Sequence, residues 1–566
     1  MSARALALAL AASTLAVSAL SGCAGVAGPQ TRANRSAYSD FLVGRFAHLR
    51  ADPAEATDRY FAALTQSPSA PELREGAVGA ALSAGDARRA RTAARRAAGA
   101  GVDVPAARLV RAVDALIGRQ ASAVATETTA LGGEGLEELA GRVLAIWAMA
   151  DAGRTDEATA ALDEIGVPAP FSGLLDYQRA MILDLAGRTE DALAAYDRAR
   201  TSGIWLPAAA ARHVDLLARA GRGAETRTLY RDATGRVRDP DVERAIERAV
   251  AGLGSARTPL TSARGGAISL YALGALLMDQ SESPRAFPLL TLALMLDPDL
   301  ETAHLTMADA LRRQNNYSGA RAALGRIAPT SPYAETARAS AAWLLRAEGR
   351  TEEALAAARA TAQSGGRLAR TTAADLYRAT EHWPEAEAAY SALIASFPTP
   401  GPGEWSLFFS RGAVRAQTNR WAEAEADFRR ALELSPDQPD VMNYLGYGLI
   451  DRGENLAEGL ELVQRAVLLR PQSGHIVDSL GWAYFRLGQY ETALEFLERA
   501  VELSPGDVTL NDHLGDALWR VGRRIEARYQ WRRALSLSPS AEERARLELK
   551  VAQGLPADGP AATAAR

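Results

Sequence analysis

The chain has 566 residues, more than one ordinary hydrophobic core can organise. Its 64 basic and 68 acidic residues leave a net charge of -4, which excludes the whole-chain basic excess of a nucleic-acid binder. The single cysteine, Cys23, excludes a disulfide within the chain. The six histidines (His48, His213, His304, His382, His475 and His513) show no zinc-ligand spacing, so neither a metal nor another cofactor is expected.

Ala, Leu and Arg dominate while β-branched and aromatic residues are sparse, which favours helix over sheet. Lys550 is the only lysine. Residues 1–22 read as a secretory signal peptide. Arg4 precedes an uncharged apolar run from Ala5 to Leu20, too short for a secure membrane span. Leu20-Ser21-Gly22-Cys23 resembles the bacterial lipoprotein lipobox. That resemblance implies an acylated Cys23 at the head of the mature chain, with residues 23–35 as a tether. Ala24 in place of Asp implies an outer-membrane lipoprotein facing the periplasm. Each buried methylene of an acyl chain contributes about 0.8 kcal/mol, and two or more chains anchor stably.

Residues 36–251 carry a divergent series of helical hairpins. Gly44, Ala56, Tyr60, Ala63 and Pro68 fit one unit, and residues 70–140 fit loosely around Gly85 and Ala90. Gly153, Gly187 and Gly221 then keep a step of 34 residues. The basic cluster Arg88, Arg89, Arg91, Arg95 and Arg96 reads as a solvated helix face, the alternative being a contact with anionic lipid or peptidoglycan. Residues 252–266 break the pattern and predict a linker. A stronger array is expected over 267–539. It opens with Gly274, Ala286, Leu290, Ala293 and Pro298, and continues through Ala308, Ala320, Leu324 and Pro332. The stretch Thr399–Gly403, rich in Pro and Gly, predicts a loop. The ladder is clearest at Gly446, Gly481 and Gly515 and at Pro471, Pro505 and Pro539. Gly481 and Ala493 are small where two helices must approach closely. Gly488 supplies a left-handed residue at a helix end, and Pro505 stops the next helix. Residues 540–553 predict a capping helix, and 554–566 a disordered tail.

Over 405–539 the order Leu-Gly, aromatic, Ala, aromatic, Ala, Pro closely resembles the tetratricopeptide repeat (TPR). The resemblance implies an all-α, right-handed α-solenoid of TPR hairpins. His475, Asp478, Trp482 and Phe485 share one helix face by their i, i+3, i+7, i+10 spacing. Asp512, Asp516 and Trp519 repeat the arrangement, and Asn443 and Tyr447 precede it. In the TPR family that face lines a concave groove. Asp512 and Asp516 repel by a few tenths of a kcal/mol. Their repulsion suggests a groove awaiting a partner with basic and apolar groups; the alternative is that another part of the chain covers the face. Lysine and asparagine clamps for C-terminal carboxylates are not expected where aspartates stand.

The stretch from Asn443-Tyr444-Leu445-Gly446-Tyr447 to His513-Leu514-Gly515-Asp516 also looks like bacterial envelope TPR lipoproteins. These include an outer-membrane adaptor of a periplasmic carboxyl-terminal processing protease. No phosphate loop or activated nucleophile is legible, so no enzyme is expected. The expected function is a protein-binding scaffold or adaptor for proteins or extended peptides, tethered to the membrane through Cys23. The alternative is a structural part of an envelope assembly for secretion, polysaccharide export or division.

Overall fold

The computed structural model describes residues 36–556, except 51, 133–134, 167–171, 232–236, 238, 256 and 280–282. The signal peptide, Cys23, the 23–35 tether and residues 557–566 lie outside the described residues. Among the described residues there are thirty α-helices and no strand. They form an all-α solenoid of helical hairpins, divided by its contacts into two units. Unit 1 takes the chain up to Arg222 together with Gly254–Leu300, and unit 2 takes Gly223–Leu253 and everything from Glu301.

Unit 1 opens with five hairpins. They are α1 (Ala37–Leu49) with α2 (Pro53–Gln66), α3 (Pro71–Ser83) with α4 (Ala87–Gly99), α5 (Pro105–Ile117) with α6 (Ala121–Thr129), α7 (Leu136–Asp151) with α8 (Thr155–Asp163), and α9 (Ser172–Leu185) with α10 (Thr189–Thr201). A single helix, α11 (Pro207–Arg219), follows. Proline at the first position of α2, α3, α5 and α11 fits a site whose N–H has no helical partner. The 34-residue step has a backbone cause. Gly153, Gly187 and Gly221 each follow a first helix with φ between +76° and +77° or at +75°, a left-handed turn that glycine adopts without strain.

The segment that follows departs from the expected order. Helices α12 (Thr226–Leu229) and α13 (Pro240–Val250) belong to unit 2, where Tyr333 donates to Asp239 at 2.9 Å and Arg244 donates to the Thr330 carbonyl at 3.0 Å. Helices α14 (Ser262–Asp279) and α15 (Ser283–Leu296) belong to unit 1. The linker expected at 252–266 is therefore not a single division: it holds one crossing between the units, at Leu253–Gly254, and the others fall after Arg222 and after Leu300. Residues 254–300 are also not the first repeat of the second array, although Gly274 does lie against Leu290 as that repeat requires. The hairpin packs across the first helices of unit 1: α14 on α5, α7 and α9, and α15 on α3 and α5.

The physical reason is its composition. Ala267, Ile268, Leu270, Phe287, Leu289, Leu290, Leu292 and Met295 are all buried, so both helices are apolar nearly all round and need cover on every side. The fit is tight. A Cβ on Gly265 would fall 2.1 Å from the ring of the fully buried Trp147. The Trp147 indole donates to Ser269 at 2.9 Å, and Thr291 donates to the Leu82 carbonyl at 2.7 Å.

Unit 2 continues with seven hairpins. They are α16 (Glu301–Arg313) with α17 (Tyr317–Leu324), α18 (Ala334–Ala347) with α19 (Thr351–Ser364), α20 (Arg367–Ala379) with α21 (Trp383–Ala395), α22 (Trp405–Gln417) with α23 (Trp421–Leu434), α24 (Pro439–Arg452) with α25 (Leu456–Leu469), α26 (Gly474–Arg486) with α27 (Tyr490–Leu503), and α28 (Val508–Arg520) with α29 (Arg524–Ser536). The last helix, α30 (Ala541–Gln553), begins with a capping box between Ser540 and Glu543. Gly481 has its predicted role, since a Cβ there would meet Leu497 at 2.6 Å. Gly488 has φ +74°. The 399–403 loop ends in a short 3-10 turn whose Glu404 accepts from the Gly401 N–H at 2.9 Å and pairs with Arg367 at 2.7 Å.

Candidate functional site: the first-helix face of unit 2

The predicted groove residues fall in two columns that step along α24, α26, α28 and α30. One column runs Asn443, Asp478, Asp512, Arg546, and the other Tyr447, Trp482, Asp516, Lys550. The steps of 34 and 35 residues place each member on the first helix of successive repeats, so equivalent positions can meet.

Those meetings use up the aspartates. Asp478 contacts His513 Nδ1 at 2.9 and 3.1 Å. Lys550 reaches Asp512 at 2.7 Å and both oxygens of Asp516 at 2.7 Å, and Arg546 pairs with Asp512 at 3.2 Å. The Trp531 indole donates to Asp516 at 3.0 Å. Asp478, Asp512 and Asp516 are all buried. The expected acidic groove open to a basic partner is thus corrected: the basic partner is the chain's own C-terminal helix. Trp519 is covered in the same way. It lies 5.5 Å from Trp531, under Arg524 and Arg528 at 5.2 and 5.0 Å, and against Gly554, where a Cβ would be only 1.9 Å from its ring. Residues 554–556 are therefore ordered cover and not free tail; Arg520 donates to the Pro556 carbonyl at 2.9 Å.

The electrostatics follow from this burial. Burial alone pushes the His513 pKa down, but Asp478, with Asp516 and Asp512 beyond it, outweighs that and holds it above the ordinary value. The Asp516 carboxyl is raised, first by burial and then by Asp512, against the pull of Lys550. Tyr447 is pushed up to about 12, by burial and then by Asp451 and Asp478.

The remaining predicted residues stay accessible in part. Trp482 stacks on His513 at 4.0 Å and on Phe485 at 4.8 Å, forming a short aromatic column that stands on the Asp478–His513 pair. Trp482, Phe485, Tyr447 and Asn443 are half-buried, and His475 is exposed. The Trp482 indole N–H and the Asn443 side-chain oxygen are buried with no partner among the described residues. Tyr444, absent from the predicted set, is 46% exposed and packs edge-on against Phe409 at 5.2 Å.

Sequence reasoning missed Lys550 and Arg546. A signal for the first was present: it is the sole lysine of an arginine-rich chain, 34 residues after Asp516. A compact ammonium fits between two carboxylates where a planar guanidinium does not. Among the described residues no group of three His, Cys, Asp or Glu side chains is placed to hold a metal ion. No described helix is long and apolar enough to cross a membrane.

A solenoid of stacked helical hairpins whose first helices carry an aromatic column belongs to the class of repeat scaffolds that offer an extended face for binding. Comparison with known proteins gives the repeat type: residues 371–439 and 479–507 match the tetratricopeptide repeat and are TPRs. A TPR repeat-containing protein of Pseudomonas aeruginosa, PA4667, is 34% identical over 92 residues, which is 16% of this chain and 16% of that protein. The match thus spans about a sixth of the relative's length. Among solved structures, a chain of the APC/C hetero-tetramer Cut9–Hcn1 is 14% identical, with 93% of this chain and 97% of that chain covered at a TM-score of 0.38. PilW, described as a type IV pilus biogenesis factor, is 21% identical, with 33% and 85% covered at a TM-score of 0.30.

Proposed function

We propose that this protein is a non-catalytic scaffold or adaptor that holds protein partners or extended peptide segments on the first-helix face of unit 2, tethered to the cell envelope through lipid on Cys23. One observation carries the reading. The first-helix face of unit 1 is filled by the chain's own apolar hairpin α14–α15, while within unit 2 no described helix lies across α16 to α26 in that way. The first helices α24 and α26 keep the Trp482–Phe485 column, the half-buried Tyr447, the exposed His475 and the exposed Tyr444, which packs on Phe409. Large aromatics in a concave setting are the common anchors of protein interfaces. Recruitment of a periplasmic protease or a cell-wall enzyme is the finer form of the reading, supported by the lipobox and by the resemblance of the last repeats to envelope adaptors.

The test is affinity capture from solubilised envelopes with the native chain as bait, read by mass spectrometry. Trp482→Ala and the exposed Tyr444→Ala should each reduce the captured partners by about tenfold or more. Tyr444→Ala serves as the variant that disturbs folding less, because that side chain is 46% exposed. Undiminished capture by both variants removes this face from the function. Cys23→Ser should leave capture intact while releasing the protein from membranes.

A further inference from the structure

The first helix of unit 1 is built inside out. Its inward face holds the buried Asp40, Gly44 and Ala47, with Gly44 close to the ring of Tyr60. Its outward face holds the large apolar side chains: Tyr38 is 69% exposed, Leu42 48%, Phe46 59% and Leu49 79%. Their i, i+4, i+8, i+11 spacing puts all four in one stripe. A solenoid end needs a polar outer face to stay soluble, and this end has an apolar one. Such a stripe marks a surface that something covers.

The charges around the stripe select what covers it. Arg45 and Arg50 flank it at its two edges, and the only carboxylate of α1, Asp40, is buried and paired with Arg59 at 3.2 Å. Every exposed ionic group of this helix is therefore cationic. Two copies packed stripe to stripe would set arginine against arginine with no acid on α1 to pair them. The preceding sequence Ala24–Arg35 adds Arg32 and Arg35, contains no acid, and has Val26 as its one large apolar residue. It is too poor in apolar groups to bury four large side chains. From residue 24 to 50 the chain carries four arginines (32, 35, 45, 50) against one aspartate, in a protein whose net charge is -4.

We infer that α1 docks on an anionic lipid surface, with Tyr38, Leu42, Phe46 and Leu49 entering the headgroup–acyl boundary and Arg45 and Arg50 meeting lipid phosphates. Interfacial helices bind through this combination of apolar area and cationic charge, and arginine stems snorkel from apolar surroundings to headgroups. The consequence is orientation. A docked α1 lays the end of unit 1 on the membrane, an orientation that a lipid on Cys23 does not by itself specify. The inference does not depend on acylation of Cys23.

The chain from Ala24 onward keeps every described helix and carries no lipid, so it isolates this contact. It should co-sediment with vesicles of phosphatidylethanolamine and phosphatidylglycerol, and much less with phosphatidylcholine alone. Leu42→Ser with Phe46→Ser should weaken binding about tenfold or more, and Arg45→Gln with Arg50→Gln should weaken it and flatten its salt dependence. In a second measurement, Leu49→Cys carrying an environment-sensitive dye should shift to the blue on the anionic vesicles, whether or not the serine variant folds. Absence of vesicle binding, binding unchanged in the serine variant, or no dye shift overturns the inference. So does a dimer in solution that the serine variant dissociates, because the stripe is then a self-interface. Mass spectrometry of native membrane-derived protein reports Cys23 acylation separately, so the two readings fail independently.

Discussion

The two units use one building block in opposite ways. Unit 1 closes its first-helix face around α14–α15, and its centre is apolar: Trp147, Leu290, Phe287 and their neighbours. Unit 2 leaves much of that face uncovered and joins its repeats with polar groups. Arg411 and Arg415 both pair with Asp427, at 2.7 and 2.9 Å; Arg415 also pairs with Glu387 at 2.9 Å; and the final repeats are locked by Asp478–His513 and Asp512–Lys550–Asp516. The difference teaches that a repeat can be stabilised by filling its groove or by polar ties between neighbouring helices, as from α22 to α21 and α23 and, in the last repeats, from α26 to α28 and α28 to α30. Only the second route leaves a surface for a partner.

The largest expected break comes from Trp147→Ala. It empties the contact with Gly265 and removes the indole donor to Ser269, and should cost about 3–5 kcal/mol. Scanning calorimetry should show the unit 1 transition fall while that of unit 2 stays; a common shift would mean that the units do not melt separately. Next is Lys550→Met, which leaves Asp516 buried without its cation and Asp512 with Arg546 alone, and should cost about 3 kcal/mol. The triple variant that adds Asp512→Asn and Asp516→Asn should recover most of that loss, and no recovery would count against an electrostatic cause.

The pH response should separate the units in sign. Burial lowers the folded pKa of His213 in unit 1 to about 4, and its ring stacks on Tyr196 at 4.8 Å. Between pH 6.5 and 4 the unfolded chain binds the proton that the folded chain refuses. Unit 1 therefore loses stability on acidification, by up to about 3 kcal/mol, and His213→Gln should abolish that slope in melting curves. His513 in unit 2 has a raised folded pKa. Its contribution is complete below the unfolded value of 6.5 and is lost as pH rises through the folded value. Equal slopes in both units would break the comparison. The smallest effect is Gly481→Ala in unit 2, where the new Cβ presses on Leu497 and should cost about 1–3 kcal/mol. A melting temperature unchanged in that variant would count against close helix approach as the reason for glycine there.

Much of this was legible because it is local. The glycines of the 34-residue step mark left-handed turns, as at Gly187 and Gly488, and such turns depend on a single residue. The stop at Pro505, the close approach at Gly481 and the capping helix at 541–553 followed by the same logic. The site was less legible. Helix spacing put Asp512, Asp516 and Trp519 on the correct face but could not say what lay opposite, since Lys550 and Gly554 arrive from beyond the repeat. The hairpin 262–296 misled most. Its pattern resembles a repeat, and its partners Leu82, Trp147 and Asp151 lie more than 100 residues away.

The sequence by itself determined the helical hairpins, their period and their ends, because propensity, capping and turn chemistry act within a few residues. It also carried the lipobox-like Leu20–Cys23, readable as a pattern. Only the tertiary structure decided which faces are free. It set α14–α15 into the first-helix face of unit 1 and α30 against α28. Burial of apolar area is non-directional, and buried charges must find partners, so the choice of cover depends on which surfaces the whole fold brings within reach.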